Sequence, residues 1–138
     1  MRAAIDSQQA LHTLNQRRVA ENSQREIENK ARVSAGLHPK PMLAILSLGT
    51  GINTGSVTAG LMGSADHIFN YTVFGREVNL ASRLEGVSGR GRIIIGEATY
   101  AALLRDDPAL AARCIEQEPT KPKGFQKPVR NFEVPWQT

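Results

Sequence analysis

The sequence predicts an α/β chain arranged as an α+β sandwich, with helices laid on a sheet. Three observations carry that reading. From residue 42 onward, short β-branched or alternating apolar runs take turns with segments whose apolar residues recur at helical spacing. Glycines and prolines fall between these runs, where turns are needed. Ahead of them lies one long segment without Gly or Pro, ending only at Gly36.

Taken in order, residues 3 to about 31 read as a helix. Ala4, Leu11 and Leu14 share a stripe, with Ile5 beside it. Past Leu14 the stripe thins, and ENSQREIENKAR is almost wholly polar apart from Ile27. That stretch reads as a solvated extension or loosely held linker, so residues 1–41 form a helix plus polar linker and residues 42–138 the main domain. Too few apolar residues recur there to sustain coiled-coil heptads. Gly36 and HPKP end the helix. MLAILSLGTGINTG then reads as a strand with SVTAGLMG as its hairpin return, turning at Thr54-Gly55 or Gly55-Ser56. A polar connection at 64–70 leads to a strand ending in Phe74, and a helix follows from Arg76 to Gly86. A strand at 92–95, a helix from Glu97 to Leu104, a break at Asp106-Asp107-Pro108, a strand at 111–117 and a final strand VRNFEV complete the pattern.

With 138 residues, 41% hydrophobic and 22% charged, the chain suits a single globular domain. Aromatics make up only 5%, so aliphatic residues must fill the core. The net charge of +4 and pI ≈ 9.6 suit a polyphosphate ligand and equally suit no special partner, and basic and aromatic residues do not interleave as nucleic-acid binding requires. The lone Cys114 excludes an internal disulfide and reads as a small buried hydrophobe. No apolar run approaches the ~20 residues of a membrane span, and no signal peptide is visible, so a cytoplasmic location is expected.

Few residues present themselves for chemistry. Gly49-Thr50-Gly51 is not a dinucleotide loop, because the next glycine is Gly55 and strand-formers follow. No Gly-Lys-Ser/Thr follows to make a P-loop. These glycines instead let backbones approach closely. His12, His38 and His67 share no ligand spacing, so no metal site is expected. Asp106 and Asp107 precede a proline and read as a turn. Asn79 and Arg83 stand out, because four residues apart on a helix they share one face. An amide and a guanidinium placed so grip an anion or an oxygen-rich ligand, whereas the plainer role is an exposed Arg83 paired with Glu77 or Glu85.

The stretches GINTGSVTAG and YTVFGREVNLASRLE, continued by IIIGEATYAAL and PKGFQKPVRNFEV, resemble the second half of a class III adenylyl/guanylyl cyclase catalytic domain. The likeness is close over residues 42–135 and looser over 2–18. It implies a partial ferredoxin-like cyclase domain without its N-terminal strands and without the family's two metal-binding aspartates. It also implies roles for single residues. Asn79 would position the ribose, Arg83 would meet charge on the α-phosphate, and Lys123 would reach the triphosphate. Thr72 stands where the purine is read, in the manner of bacterial adenylyl cyclases, while Val73 and Val78 would line the base pocket. Without the resemblance, Thr72 and Val73 are simply β-formers and Lys123 a solvated loop lysine between Lys121 and Lys127. Asn70 departs from the aspartate that is frequent before YTV.

The implied parent reaction is ATP to 3′,5′-cyclic AMP plus pyrophosphate, with Mg²⁺ or Mn²⁺ as cofactor. Family sites are composite, with the metal aspartates from one subunit and the asparagine–arginine pair from the other. The implied partners are therefore ATP and either a second copy or a complementary cyclase subunit, and the chain by itself is expected to be inactive. An incomplete sheet would leave an exposed edge and favour self-association. A non-catalytic dimerising or nucleotide-binding module built on the same fold is the alternative.

Overall fold

The computed structural model describes residues 1–63, 69–121 and 123–137. The chain divides into two compact units, residues 1–48 and 49–138.

The first unit is one long helix and a returning segment. Helix α1 spans Arg2–Ser34, and Gly36 (φ 74°) turns the chain where the sequence placed the break. Residues 38–48 belong to no helix or strand, yet their peptide groups are not idle. Asn29, Asn22 and Asn15 each donate to a carbonyl and accept from the amide of the same residue, Lys40, Leu43 and Leu46 respectively, at 2.7–3.0 Å. Gln8, one heptad before Asn15 and only 2% exposed, donates to the Leu48 carbonyl at 2.7 Å. Arg32, Arg25 and Arg18, also seven apart, donate to the carbonyls of His38, Pro41 and Ala44. As the segment advances toward Leu48, its partners retreat toward Gln8, so it runs antiparallel to the helix. From Gln8 to Arg32 the helix rises roughly 36 Å. The ten steps from His38 to Leu48 reach at most about 33–36 Å, so the segment is drawn out almost fully.

This ladder corrects two expectations. The polar stretch after Leu14 is not a loose extension, because its amides and guanidiniums hold the returning segment. The strand expected from Met42 is also shortened. Only Thr50–Ile52 is strand (β1), because α1 side chains occupy the peptide groups of the preceding residues.

The second unit is built on a four-stranded sheet of order β1-β4-β6-β5, where β4 is Ile93–Gly96, β5 Ile115–Thr120 and β6 Val129–Val134. β1 runs parallel to β4, while β6 is antiparallel to both β4 and β5. Ile93, Ile94 and Ile95 are all buried, as a central strand covered on both faces requires. Side chains alternate across the sheet. On the Ile94 face, helix α2 (Arg76–Ser88) inserts Leu80 and Leu84. On the other, helix α3 (Glu97–Asp106) stacks Tyr100 on Phe132, with ring centroids 3.8 Å apart and planes 11° apart. The mixed α/β sandwich expected from the sequence is present.

Three local expectations change. β1 does not form a hairpin with β2 (Thr58–Gly63), which pairs instead with β3 (Phe69–Phe74) in a separate two-stranded ribbon. At Gly51 a Cβ would sit 2.1 Å from the Glu85 amide nitrogen and 2.4 Å from the Ala81 carbonyl oxygen. The close approach read from the glycines is real, but its partner is helix α2. Residues 64–68 of the expected polar connection lie outside the described residues. Next, α2 runs past Gly86 and stops before Gly89, whose backbone (φ 60°, ψ −140°) leaves the helix in a conformation that favours glycine. Last, no strand begins at residue 111. Asp107 caps a short helix, α4 (Pro108–Ala111), by accepting from the Leu110 amide at 3.1 Å, and Pro108 fills its first turn. Asp106 pairs with Arg105 at 2.8 Å and closes α3, so the expected break narrows to Asp107, the residue between the two helices. Cys114 is half-buried and donates to the Leu110 carbonyl, and burial pushes its thiol pKa up.

Candidate functional site

A cleft of about 620 Å³ opens at the N-terminal half of α2, within the range typical of ligand sites. Its lining combines one face of that helix, Gly75, Arg76, Asn79, Ser82 and Arg83, with the loop residues Lys123, Gly124 and Phe125. The helix is oriented by its apolar side. Leu80 and Leu84 are buried against Ile94, which turns Asn79 and Arg83 outward. No side chain caps the first turn, and Gly75 enters it at φ 136°, a backbone conformation that side-chain-bearing residues rarely adopt. The first-turn amides add partial positive charge there. Between β5 and β6 the chain reverses at Gly124 (φ 90°), and half-buried Phe125 packs against the Leu80–Leu84–Ile94 cluster. That anchor carries Lys123 to the same cleft.

The structure thus brings together Asn79, Arg83 and Lys123, which the sequence had singled out separately. Among the described residues Arg83 has no ion-pair partner. Glu77, one of its two plainer candidates beside Glu85, instead accepts from the Asn53 amide at 2.7 Å. Thr72, Val73 and Val78 do not line the cleft. Thr72 is half-buried on β3, opposite Gly60, and Val73 projects from the other face of the ribbon, exposed. Val78 is half-buried on α2.

Arg76, Ser82 and Phe125 were missed. Arg76 precedes Asn79 by three residues and Arg83 by seven, a spacing that already put it on their face. Phe125 carried no local signal, since its contacts are with a helix far away in sequence. The Arg76 guanidinium lies over the Phe125 ring, 4.9 Å from its centroid.

Chemically, the described residues of the cleft offer two guanidiniums, an ammonium, an amide and a hydroxyl, and no carboxylate. Hard divalent ions need oxygen ligands, so these residues do not fit Mg²⁺ or Mn²⁺; they fit an anion. Among the described residues, no three His, Cys, Asp or Glu side chains come together elsewhere. Among them, too, no helix is long and apolar enough to cross a membrane.

A family model described as the adenylate and guanylate cyclase catalytic domain matches residues 7–131, and the chain belongs to that family. Among solved structures, it is similar to the adenylyl cyclase CyaB from P. aeruginosa, with 34% identity and TM-score 0.57, covering 84% of this chain and 54% of that one. The guanylyl cyclase Cya2 matches with 29% identity and TM-score 0.55, covering 95% of this chain and 53% of its own. The guanylate cyclase domain of RhGC from Catenaria anguillulae, solved with GTP, matches with 29% identity and TM-score 0.52, covering 62% and 42% respectively. The chain therefore spans about half the length, or less, of the solved chains it matches.

Proposed function

We propose that this chain supplies the transition-state half of a nucleotide cyclase site that converts ATP to 3′,5′-cyclic AMP and pyrophosphate, in the cytoplasm and in cyclic-nucleotide signalling. The convergence of Asn79, Arg83 and Lys123 on one cleft carries the reading. In ring closure the ribose 3′-oxygen forms a bond to the α-phosphorus while the bond to the pyrophosphate oxygen breaks. Negative charge gathers on the equatorial oxygens, and a preplaced guanidinium answers it without reorganisation. Arg83 takes that part, Asn79 holds the ribose, and Lys123 binds the departing phosphates as a point charge. Thr72, with its hydroxyl, reads the adenine amino group, and Val73 and Val78 flank the base. They sit outside the cleft, so base recognition uses the ribbon and the back of α2 rather than the anion grip.

The metal carboxylates come from the partner, a second copy or a complementary cyclase subunit. Leu61, Phe69 and Tyr71 on the β2–β3 ribbon are 70%, 64% and 74% exposed, an apolar surface that favours such pairing. The test is complementation. A cyclase chain that keeps its aspartates but lacks the asparagine and arginine is mixed with this one, and cyclic AMP is measured against each chain alone. The mixture is expected to make cyclic AMP, Arg83→Ala to lower its rate ~10²–10³-fold, and Thr72→Ala mainly to weaken ATP binding or relax base choice. A silent mixture, with a heterodimer shown by cross-linking, sinks the proposal. The carboxylate-free cleft favours one other reading, a module that binds nucleotide without turning it over. ATP binding without complementation would select it.

A further inference from the structure

We propose that Arg76 is a third phosphate-binding cation of this cleft, and that it makes the site prefer a nucleoside polyphosphate over a monophosphate; the inference rests on the nucleotide reading of the site. Three observations meet at this residue. Arg76, Asn79 and Arg83 follow one another at i, i+3 and i+7, so the two guanidiniums stand two turns apart along one stripe of α2. That distance, roughly 10 Å of helix rise, exceeds the span of one phosphate and suits a chain of them. Next, Arg76 rests over Phe125, which is fixed by the Leu80–Leu84–Ile94 cluster and adjoins the Lys123–Gly124 turn. A ring beneath the guanidinium occupies its face and leaves its in-plane N–H donors free, the geometry in which arginine forks onto phosphate oxygens. Finally, among the described residues none of Arg76, Arg83 and Lys123 has an acidic partner, and no carboxylate among them lines the cleft. Three unopposed cations beside an uncapped helix N-terminus need more negative charge than a monophosphate brings.

The experiment titrates ATP and AMP separately into the whole chain and its variants by calorimetry, with circular dichroism confirming the fold. Arg76→Gln is expected to weaken ATP about tenfold while AMP changes less than twofold, since one charged hydrogen-bonding partner of a phosphate is lost. Arg76→Lys, which keeps the charge but loses the fork and the stacking, is expected to fall between. Arg83→Gln, at the phosphate both ligands share, is expected to weaken the two alike. If Arg76→Gln leaves ATP affinity intact, or weakens ATP and AMP equally, while Arg83→Gln weakens both, the role of Arg76 is refuted and the site stands. If the wild-type chain binds neither nucleotide, or Arg83→Gln changes nothing, the site itself is refuted and Arg76 with it.

Discussion

In residues 1–48 the peptide groups of the returning segment bond to side chains of α1, whereas in residues 49–138 the strands bond to one another. The first arrangement needs amides and guanidiniums at a seven-residue spacing and leaves much apolar surface bare: Val19, Ile27, Met42 and Ile45 are all half or more exposed. The second frees the side chains for packing, and Ile93, Ile94, Ile95 and Val134 are all but sealed from water. Side-chain bonds can hold a chain in place, but only backbone pairing leaves the apolar residues free to make a core. The helix that lines the cleft belongs to the second arrangement. A site that must keep donors in place to within an ångström gains from a rigid support.

The largest effect should come from the packed unit. Ile94→Ala removes a buried side chain from beneath α2 and is expected to cost about 2–5 kcal/mol in denaturant unfolding. A smaller loss would mean that Leu80 and Leu84 pack only loosely on Ile94. Gly51→Ala comes next. The new methyl would meet backbone atoms of Glu85 and Ala81, which cannot swing aside as a side chain can. About 1–3 kcal/mol is expected, with lower nucleotide affinity, because α2 must move. Unchanged stability would show that β1 does not lie against that helix.

In the ladder, Asn22→Leu removes both bonds to Leu43 and is expected to cost about 1–2 kcal/mol. The amide protons of Leu43 and Leu46 should exchange faster than that of Ile94, because their acceptors are side chains near solvent. Equal protection would erase the contrast between the units. The smallest effect is that of pH. Glu116 pairs with Arg130 at 2.7 Å, and this hydrogen bond holds its carboxyl below the usual range. Glu28 is held low likewise by Lys40. A carboxylate depressed in the folded state stabilises it above the unfolded pKa, and that help is lost as pH falls through the folded one. The difference in thermal midpoint between wild type and Glu116→Gln, small at pH 7 for so exposed a pair, should shrink as pH falls through the acidic range.

Where the sequence could be read, the signal was local. VRNFEV is a strand, the helix begins at Arg76, and Asn79 and Arg83 share a face, because each follows from periodicity and a glycine boundary. Where it could not, the deciding contact was remote. Nothing near Gly51 says that its neighbour is α2, and nothing near Phe125 announces Arg76. Pairing of β1 with Ile93–Ile95 instead of β2 likewise depends on residues some forty positions away. The ladder is a different lesson. Gln8, Asn15, Asn22 and Asn29 were plainly spaced by seven, but a search for apolar stripes passes over a polar one.

That spacing makes the first unit a vernier. Seven helical residues advance roughly 10.5 Å. Three extended residues advance about the same, and the paired rungs are Lys40, Leu43 and Leu46, three apart. Sliding the segment by three residues toward the start of α1 would therefore set Lys40 against Asn22 and Leu43 against Asn15, with those rungs remade. The bonds measure distance but do not choose the mark. The choice falls to the turn at Gly36, which is too short to feed out three more residues, so the zero of the scale is set at one end by a single left-handed glycine.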